Sequence, residues 1–426
     1  MTKDIFLNGK PYIDLDISAQ LYSYTKTKTW NQTIRISAEM TEEVDPKLLY
    51  DALMLIKPRF PSFFVKFYED FFWKRFQAVS DEECQNVVEK EKEICRPIDT
   101  ENDSRPLFRV LYSGSRISFE TFHGVTDGRG AIVFLKNLIA AYLTLSGIEI
   151  PKENEILDWN ESPKAEELED TFIKNYDPKG KRLSRSGKAV YQYKPESEDG
   201  KLHAVQGRFS VDEIKALSKE LGATITEYLT AVYIYSFYKN LNSPRKSKPI
   251  TIEVPMDIRR FYNSVSLRNC SLYANITIEP AKFEYTFEDI LEQTKKQFKE
   301  GIEPTIIQEN VNVNVHDSVM PLARYSPSFL KKPFIKLAFI LYGERLFTSP
   351  LSNLGVVQVP KEMENHIKYI YAVIGKTYKN RIYATVSSFK STMLVTFSST
   401  GTENPIAQTY FSFLEDKGIN LIKETL

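Results

Sequence analysis

Cysteine and histidine are both scarce in this 426-residue chain. The three cysteines, Cys84, Cys95 and Cys270, are odd in number, far apart and without CxxC spacing, which argues against a disulfide framework or a structural zinc site. A reducing, cytoplasmic setting is expected. The four histidines lie at 123, 203, 316 and 366, and the last three stand in "KLHAV", "NVHDS" and "ENHIK" with no second histidine or cysteine at metal-binding spacing. These three read as surface or structural histidines, and no metal is expected. Net charge is missing too: Lys+Arg and Asp+Glu balance at 56 each, so no long-range field steers the whole chain to nucleic acid or an anionic membrane. A small, mostly uncharged partner fits better. Long apolar runs are also absent, the longest being interrupted by Lys136 and Asn137, and "MTKDIFLNGKPYIDLDISAQ" lacks the basic-then-apolar order of a secretory signal. Neither secretion nor a membrane span is expected. No GxSxG elbow, GxxxxGK[ST] loop or HExxH occurs, which removes support for a serine-elbow hydrolase, a P-loop enzyme and a zinc protease.

What is present is an ordinary globular composition, 42% hydrophobic and 26% charged, in a chain too long for one ordinary core. Two domains of roughly 200 residues each are expected, with a cleft where they meet. The element pattern is α+β in two layers. "WNQTIRISAEM" reads as a strand, "PKLLYDALMLIKPRF" as a proline-started helix, and "SFFVKFYEDFFWKRF" as an aromatic hairpin packed into the core. "PLFRVLYSGSRISFETF" reads as a second hairpin turning at Gly114. Residues 175 to 201, rich in charge, Gly, Ser and Pro, read as a linker. Beyond it come a short strand, the capped helices "SVDEIKALSKEL" and "TITEYLTAVYIYSFYKNL", the strands "PITIEVPMDI" and "SLYANITIEP", and the helix "TFEDILEQTKKQFKEGI". The strands "HIKYIYAVIG", "RIYATVSSFK" and "TMLVTFSST" and the helix "PIAQTYFSFLEDKG" then complete the second half.

The remaining histidine is the informative one. In "ISFETFHGVTDGRGAIVFLKNLI" an alternating strand delivers His123 into a glycine-flanked turn, and an amphipathic helix follows over 129 to 145. Imidazole titrates near neutrality and suits proton removal. The blander alternative is a capped turn in which Asp127 only stabilises the helix start. A phosphate-binding reading of "GRGAIV" is weaker, because Val133 stands where the third glycine of a GxGxxG fingerprint belongs.

"HGVTDG" in this context resembles the HxxxDG signature of the condensation-domain-like acyltransferases, which include chloramphenicol acetyltransferase, the plant BAHD enzymes, the alcohol acetyltransferases and the condensation domains of peptide synthetases. "VPMDIRRFYNSVSLRNCSLYANITI" resembles the D-x-R segment and Asn-bearing strand of that superfamily at Asp257, Arg259 and Asn269. "SPLSNLGVVQVP" resembles the SNxG segment of the alcohol acetyltransferase branch at Ser352, Asn353 and Gly355. The resemblance implies two chloramphenicol-acetyltransferase-like domains, 1–174 with "HGVTDG" and 202–426, joined by a 175–201 crossover and enclosing a tunnel at their interface. It implies acyl-CoA as co-substrate, no permanently bound cofactor, and His123 as general base without a covalent enzyme intermediate. Asp127 would be structural and paired with Arg259, and Gly128 would allow close packing. Asn269, Ser352 and Asn353 would be candidates for holding the oxyanion. Phe122 stands where condensation domains carry a second histidine, no attached carrier domain is expected, and the plant DFGWG segment is replaced by "SNLGVV". The expected reaction is therefore transfer of an acyl group, acetyl foremost, from a soluble thioester to a small alcohol, and one chain suffices as a monomer. Amide formation with an amine acceptor or a carrier-bound donor, and a non-catalytic binding relative, remain as alternatives.

Overall fold

The computed structural model describes residues 12–26, 32–100, 105–183, 187–320 and 326–426. The first half contains strand β1 (Tyr12–Asp14), helix α1 (Ile17–Thr25), β2 (Thr33–Met40), α2 (Pro46–Ile56), the hairpin β3 (Val65–Glu69) and β4 (Lys74–Ala78), β5 (Val88–Lys90), the hairpin β6 (Phe108–Ser113) and β7 (Arg116–Phe122), α3 (Gly128–Leu145) and α4 (Thr171–Lys174). The second contains β8 (Glu198–Ser210), α5 (Val211–Glu220), α6 (Ile225–Lys239), β9 (Ile250–Asp257), α7 (Arg259–Tyr262), β10 (Ser271–Ile278), α8 (Phe287–Gly301), α9 (Pro304–Val319), α10 (Ser328–Tyr342), β11 (Ser349–Val356), α11 (Lys361–Glu364), β12 (Ile367–Ile374), β13 (Ile382–Phe389), β14 (Thr392–Gly401), α12 (Pro405–Asp416) and β15 (Ile422–Thr425).

Strand alternation decides the first layer. Ile34, Ile36 and Ala38 of β2 pair across to Thr121, Phe119 and Ile117 of β7, giving one apolar face that α2 and α3 cover. Phe134 of α3 sits at its centre, with the rings of Phe60, Phe63, Phe64, Phe108 and Phe119 at 4.4 to 6.0 Å. Stacked, tilted and edge-on contacts of this kind add to the stabilisation from the area buried. The opposite face carries charge: Glu120 lies directly across from Arg35 on one neighbouring strand and Arg109 on the other, and accepts from their Nε atoms at 2.6 and 2.7 Å. A buried carboxylate held between two guanidinium groups is compensated where an isolated one would be costly.

The second layer is a seven-stranded sheet in the order β10-β9-β11-β13-β14-β8-β15, with α6, α8 and α12 packed on its apolar face. Its helices start as the sequence predicts. Ser210 caps α5, and Thr224 with Glu227 forms a capping box on α6. Gly222, at φ +61°, closes α5 just before that box.

Three expectations change. The strand "HIKYIYAVIG" (β12) leaves the second half and pairs with β2, so the first sheet reads β12-β2-β7-β6-β5. It is stitched back by Thr385, Ser387 and Ser398, whose hydroxyls donate to the carbonyls of Ala372, Ile370 and Ile374. The predicted linker also ends early, because β8 begins at Glu198, opposite Gly401. The aromatic hairpin divides: Phe60, Phe63, Phe64, Phe67 and Phe76 are core, whereas Phe71 and Phe72 at its tip are exposed.

Among the described residues, α3 is long and apolar enough to cross a membrane by length and composition. Fourteen of its 18 residues are buried inside the first layer, which makes it the core helix of that layer. The three cysteines are buried and unpaired, and no cluster of metal-ligating side chains occurs among the described residues.

Candidate active site

His123 follows the last residue of β7, held by its backbone N–H donating to Gln32 O at 2.9 Å. The ring is half-buried, and Nδ1 lies 3.0 Å from the carbonyl oxygen of Thr126. A carbonyl can only accept, so Nδ1 carries the hydrogen and the neutral ring leaves Nε2 as the basic nitrogen. The turn therefore fixes both the tautomer and the ring plane. Tyr22 of α1 flanks the ring, centroid to centroid 5.3 Å. Burial pushes the Tyr22 phenol up, with Glu253 and Asp16 adding to it, so Tyr22 remains a hydroxyl.

Asp127 turns away from this ring. It is the N-cap of α3, its Oδ1 accepting from Gly130 N at 3.0 Å, and its Oδ2 accepts from Cys270 N at 2.8 Å. Arg259 contacts the same carboxylate at 2.9 and 3.1 Å, while its Nε donates to Ser266 O at 2.6 Å. Burial alone would raise the Asp127 pKa, but the Arg259 charge and the donated hydrogen bonds outweigh it and hold the group below the usual carboxylate range. With four donors on two oxygens, this carboxylate has no capacity left for proton transfer. Asp257 completes the arrangement, accepting from Arg259 at 2.9 Å.

The segment 266–270 grips the turn at further points. Thr126 Oγ1 donates to Leu267 O at 2.7 Å, and Asn269 Nδ2 donates to Gly124 O at 3.3 Å and Asp16 Oδ2 at 3.4 Å. Asn269 is thereby tied to the turn. Close approach explains the glycines: a β-carbon at residue 128 would come within 2.8 Å of Leu354 Cδ2, and one at residue 130 within 2.5 Å of the Leu267 carbonyl oxygen. Gly130, which the motif reading passed over, is the stricter of the two.

The "SNLG" segment lies on β11, where the pairing with β13 is irregular between Asn353 and Val356. Asn353 is spent on that irregularity, Nδ2 donating to Thr226 Oγ1 at 2.8 Å and Oδ1 accepting from Gly355 N at 2.9 Å. Gly355 has φ +70°, a conformation glycine adopts without strain. Ser352 is half-buried one residue earlier. The structure thus brings His123, Asp127, Gly128, Arg259 and Asn269 into one junction, with "SNLG" reaching it through Leu354.

Sequence reasoning missed three neighbours. Tyr22 lies on a helix whose start is signalled by Asp16, the N-cap donating no proton but accepting from Ala19 N at 2.7 Å. Thr126 lies inside the quoted motif. Glu253 lies on β9, half-buried, and burial together with Glu344 pushes its carboxyl up to about 8.

No family model matches the chain, and no curated protein matches it in sequence. Its fold does match solved structures. The trichothecene 15-O-acetyltransferase TRI3 of Fusarium sporotrichioides aligns with a TM-score of 0.60 at 14% identity, over 94% of this chain and 93% of that one. TRI101 of F. graminearum, solved with coenzyme A and deoxynivalenol, aligns at 0.63 with 10% identity, over 97% and 99%. The condensation domain of the monacolin K polyketide synthase MokA aligns at 0.57 with 13% identity, over 96% and 98%. The chain has the fold of the condensation-domain-like, chloramphenicol-acetyltransferase-like acyltransferases.

Proposed function

We propose that the protein is an acyltransferase that moves an acyl group from coenzyme A to a hydroxyl acceptor, with His123 as general base. The observation that carries this reading is the Thr126 carbonyl 3.0 Å from Nδ1, which makes Nε2 the proton acceptor. The fold supports it, since TRI101 was solved with coenzyme A and TRI3 is a 15-O-acetyltransferase. Nε2 takes the acceptor hydroxyl proton as the oxygen attacks the thioester carbon. The tetrahedral oxyanion then collapses, the C–S bond breaks, and the imidazolium returns its proton to the departing thiolate. Ester and free coenzyme A result. Ser352 is our candidate for the oxyanion donor, because Asn269 and Asn353 are committed to other partners. All the residues named lie in one chain, so a monomer suffices, and three unpaired thiols suit a reducing cytoplasm.

The test is to mix the protein with acyl-CoAs of several lengths and panels of alcohols and amines, following free thiol and product mass. Alcohol-dependent thiol release matched by ester is the expected result. Transfer to amines alone, or thiol release with no acceptor in either panel, would overturn it.

A further inference from the structure

The balanced charge of the whole chain conceals a local segregation. Residues 318–343 contain no Asp or Glu but carry Lys331, Lys332 and Lys336. Most of that stretch is α10, which exposes Phe329, Leu330, Phe334 and Leu337, with Phe334 at 73% the most exposed large apolar side chain described. At helical spacing these four fall on one face, with Lys332 and Lys336 along its edge. The exposed tip of the β3–β4 hairpin extends the same surface. Phe71 meets the Phe329 ring edge-on at 6.0 Å, Ser328 N donates to Phe71 O at 2.9 Å, and Lys331 Nζ donates to Phe72 O at 3.0 Å.

The acidic groups near this surface are already used. Asp70 accepts from the backbone N–H groups of Phe72 and Trp73 at 2.9 and 2.6 Å and pairs with Arg75. Glu69 takes the Ser328 hydroxyl and pairs with Lys74. What faces outward is therefore six large apolar side chains edged by lysine. Isolated exposed apolar residues need no explanation, but a contiguous patch built from two distant segments does. Aromatic and leucine side chains able to enter an acyl boundary, with ammonium groups at headgroup level, are the chemistry of an interfacial helix.

The geometry points to peripheral docking of this face on an anionic lipid bilayer, with Phe329, Phe334, Leu330 and Leu337 in the interface and Lys332 and Lys336 on the headgroups. Net charge is zero, so attraction is local and short-ranged. The surface is one helix from the candidate site: Tyr24 of α1 contacts Ser328 Oγ at 3.3 Å, and Tyr22 of the same helix flanks His123. The docking itself does not rest on the acyl-transfer reading.

The test is co-sedimentation of the full chain with phosphatidylcholine vesicles, with and without phosphatidylserine, alongside size-exclusion chromatography. The variants are Phe329→Ser with Phe334→Ser, Lys332→Glu with Lys336→Glu, and Phe283→Ser as an exposed control elsewhere. Phosphatidylserine-dependent binding by the parent and the control, weakened at least about tenfold in both double variants at unchanged melting temperature, is the expected result. A parent that stays in the supernatant overturns the proposal, and so does equal binding by the double variants or equal binding without phosphatidylserine. A dimer that dissociates in the double variants, with no vesicle binding, would assign the face to a second copy of the chain and also overturn it.

Discussion

Asp127 and Arg259, 132 residues apart in sequence, meet as a buried ion pair with contacts of 2.9 and 3.1 Å. One belongs to the turn that carries His123 and the other follows β9, so the position of the imidazole depends on the second half of the chain. The pair anchors that turn.

Removing Arg259 leaves the Asp127 carboxylate buried without its counter-ion. Arg259→Ala is expected to cost about 3–5 kcal/mol in denaturant unfolding. Asp127→Asn should cost less, because its amide can still occupy the cap. The lowered pKa of Asp127 contributes stability present above the ordinary carboxylate pKa and lost as pH falls through the folded value, so Asp127→Asn should also flatten the acid limb of the stability curve. Unchanged stability in both variants would contradict a structural pair.

Glu253 works in the opposite direction. Its carboxyl is pushed up to about 8, first by burial and then by Glu344, so it stays protonated in the fold at neutral pH. A raised folded pKa gives stability that is complete below the unfolded value, near 4.3, and lost as pH rises toward the folded one. Glu253→Gln should therefore gain on the parent as pH rises from about 5 to about 8, and the difference should level off above that. A difference independent of pH in thermal melts would show that the group is not held neutral.

The glycines of the turn separate a rigid neighbour from a movable one. Gly130→Ala sets a β-carbon against the Leu267 carbonyl and should cost about 1–3 kcal/mol. Gly128→Ala meets only the end of the Leu354 side chain, which can rotate, and should cost less. The reverse order in urea unfolding would contradict this packing.

Much of this was legible in the sequence where local chemistry decides the outcome. Pro46, Ser210 and Thr224 announce helix starts, and Gly114, at φ +55°, announces the β6–β7 turn. The helix α9 was missed because "VNVNVHDSV" alternates like a strand and carries β-branched and Asn residues, while Ile307, Val311 and Val315 are buried together by tertiary packing. Alternation identified β12 as a strand but holds no information on which sheet it joins. At the site, His123 and Asp127 were visible as a motif, and Asp127 with Arg259 through the resemblance. Tyr22, Glu253 and the Arg35–Glu120–Arg109 group were not, because each becomes meaningful only through partners brought from a distance by strand pairing or helix packing.

The central claim is that Nε2 of His123 removes the acceptor proton. The measurement that tests it most directly is the rate of acyl-CoA consumption with an alcohol acceptor by the parent and by His123→Ala, alongside their unfolding curves. Loss of at least about a hundredfold in kcat, with stability within about 1 kcal/mol of the parent, is the predicted result. A stably folded His123→Ala variant that turns over at the parent's rate would contradict the account.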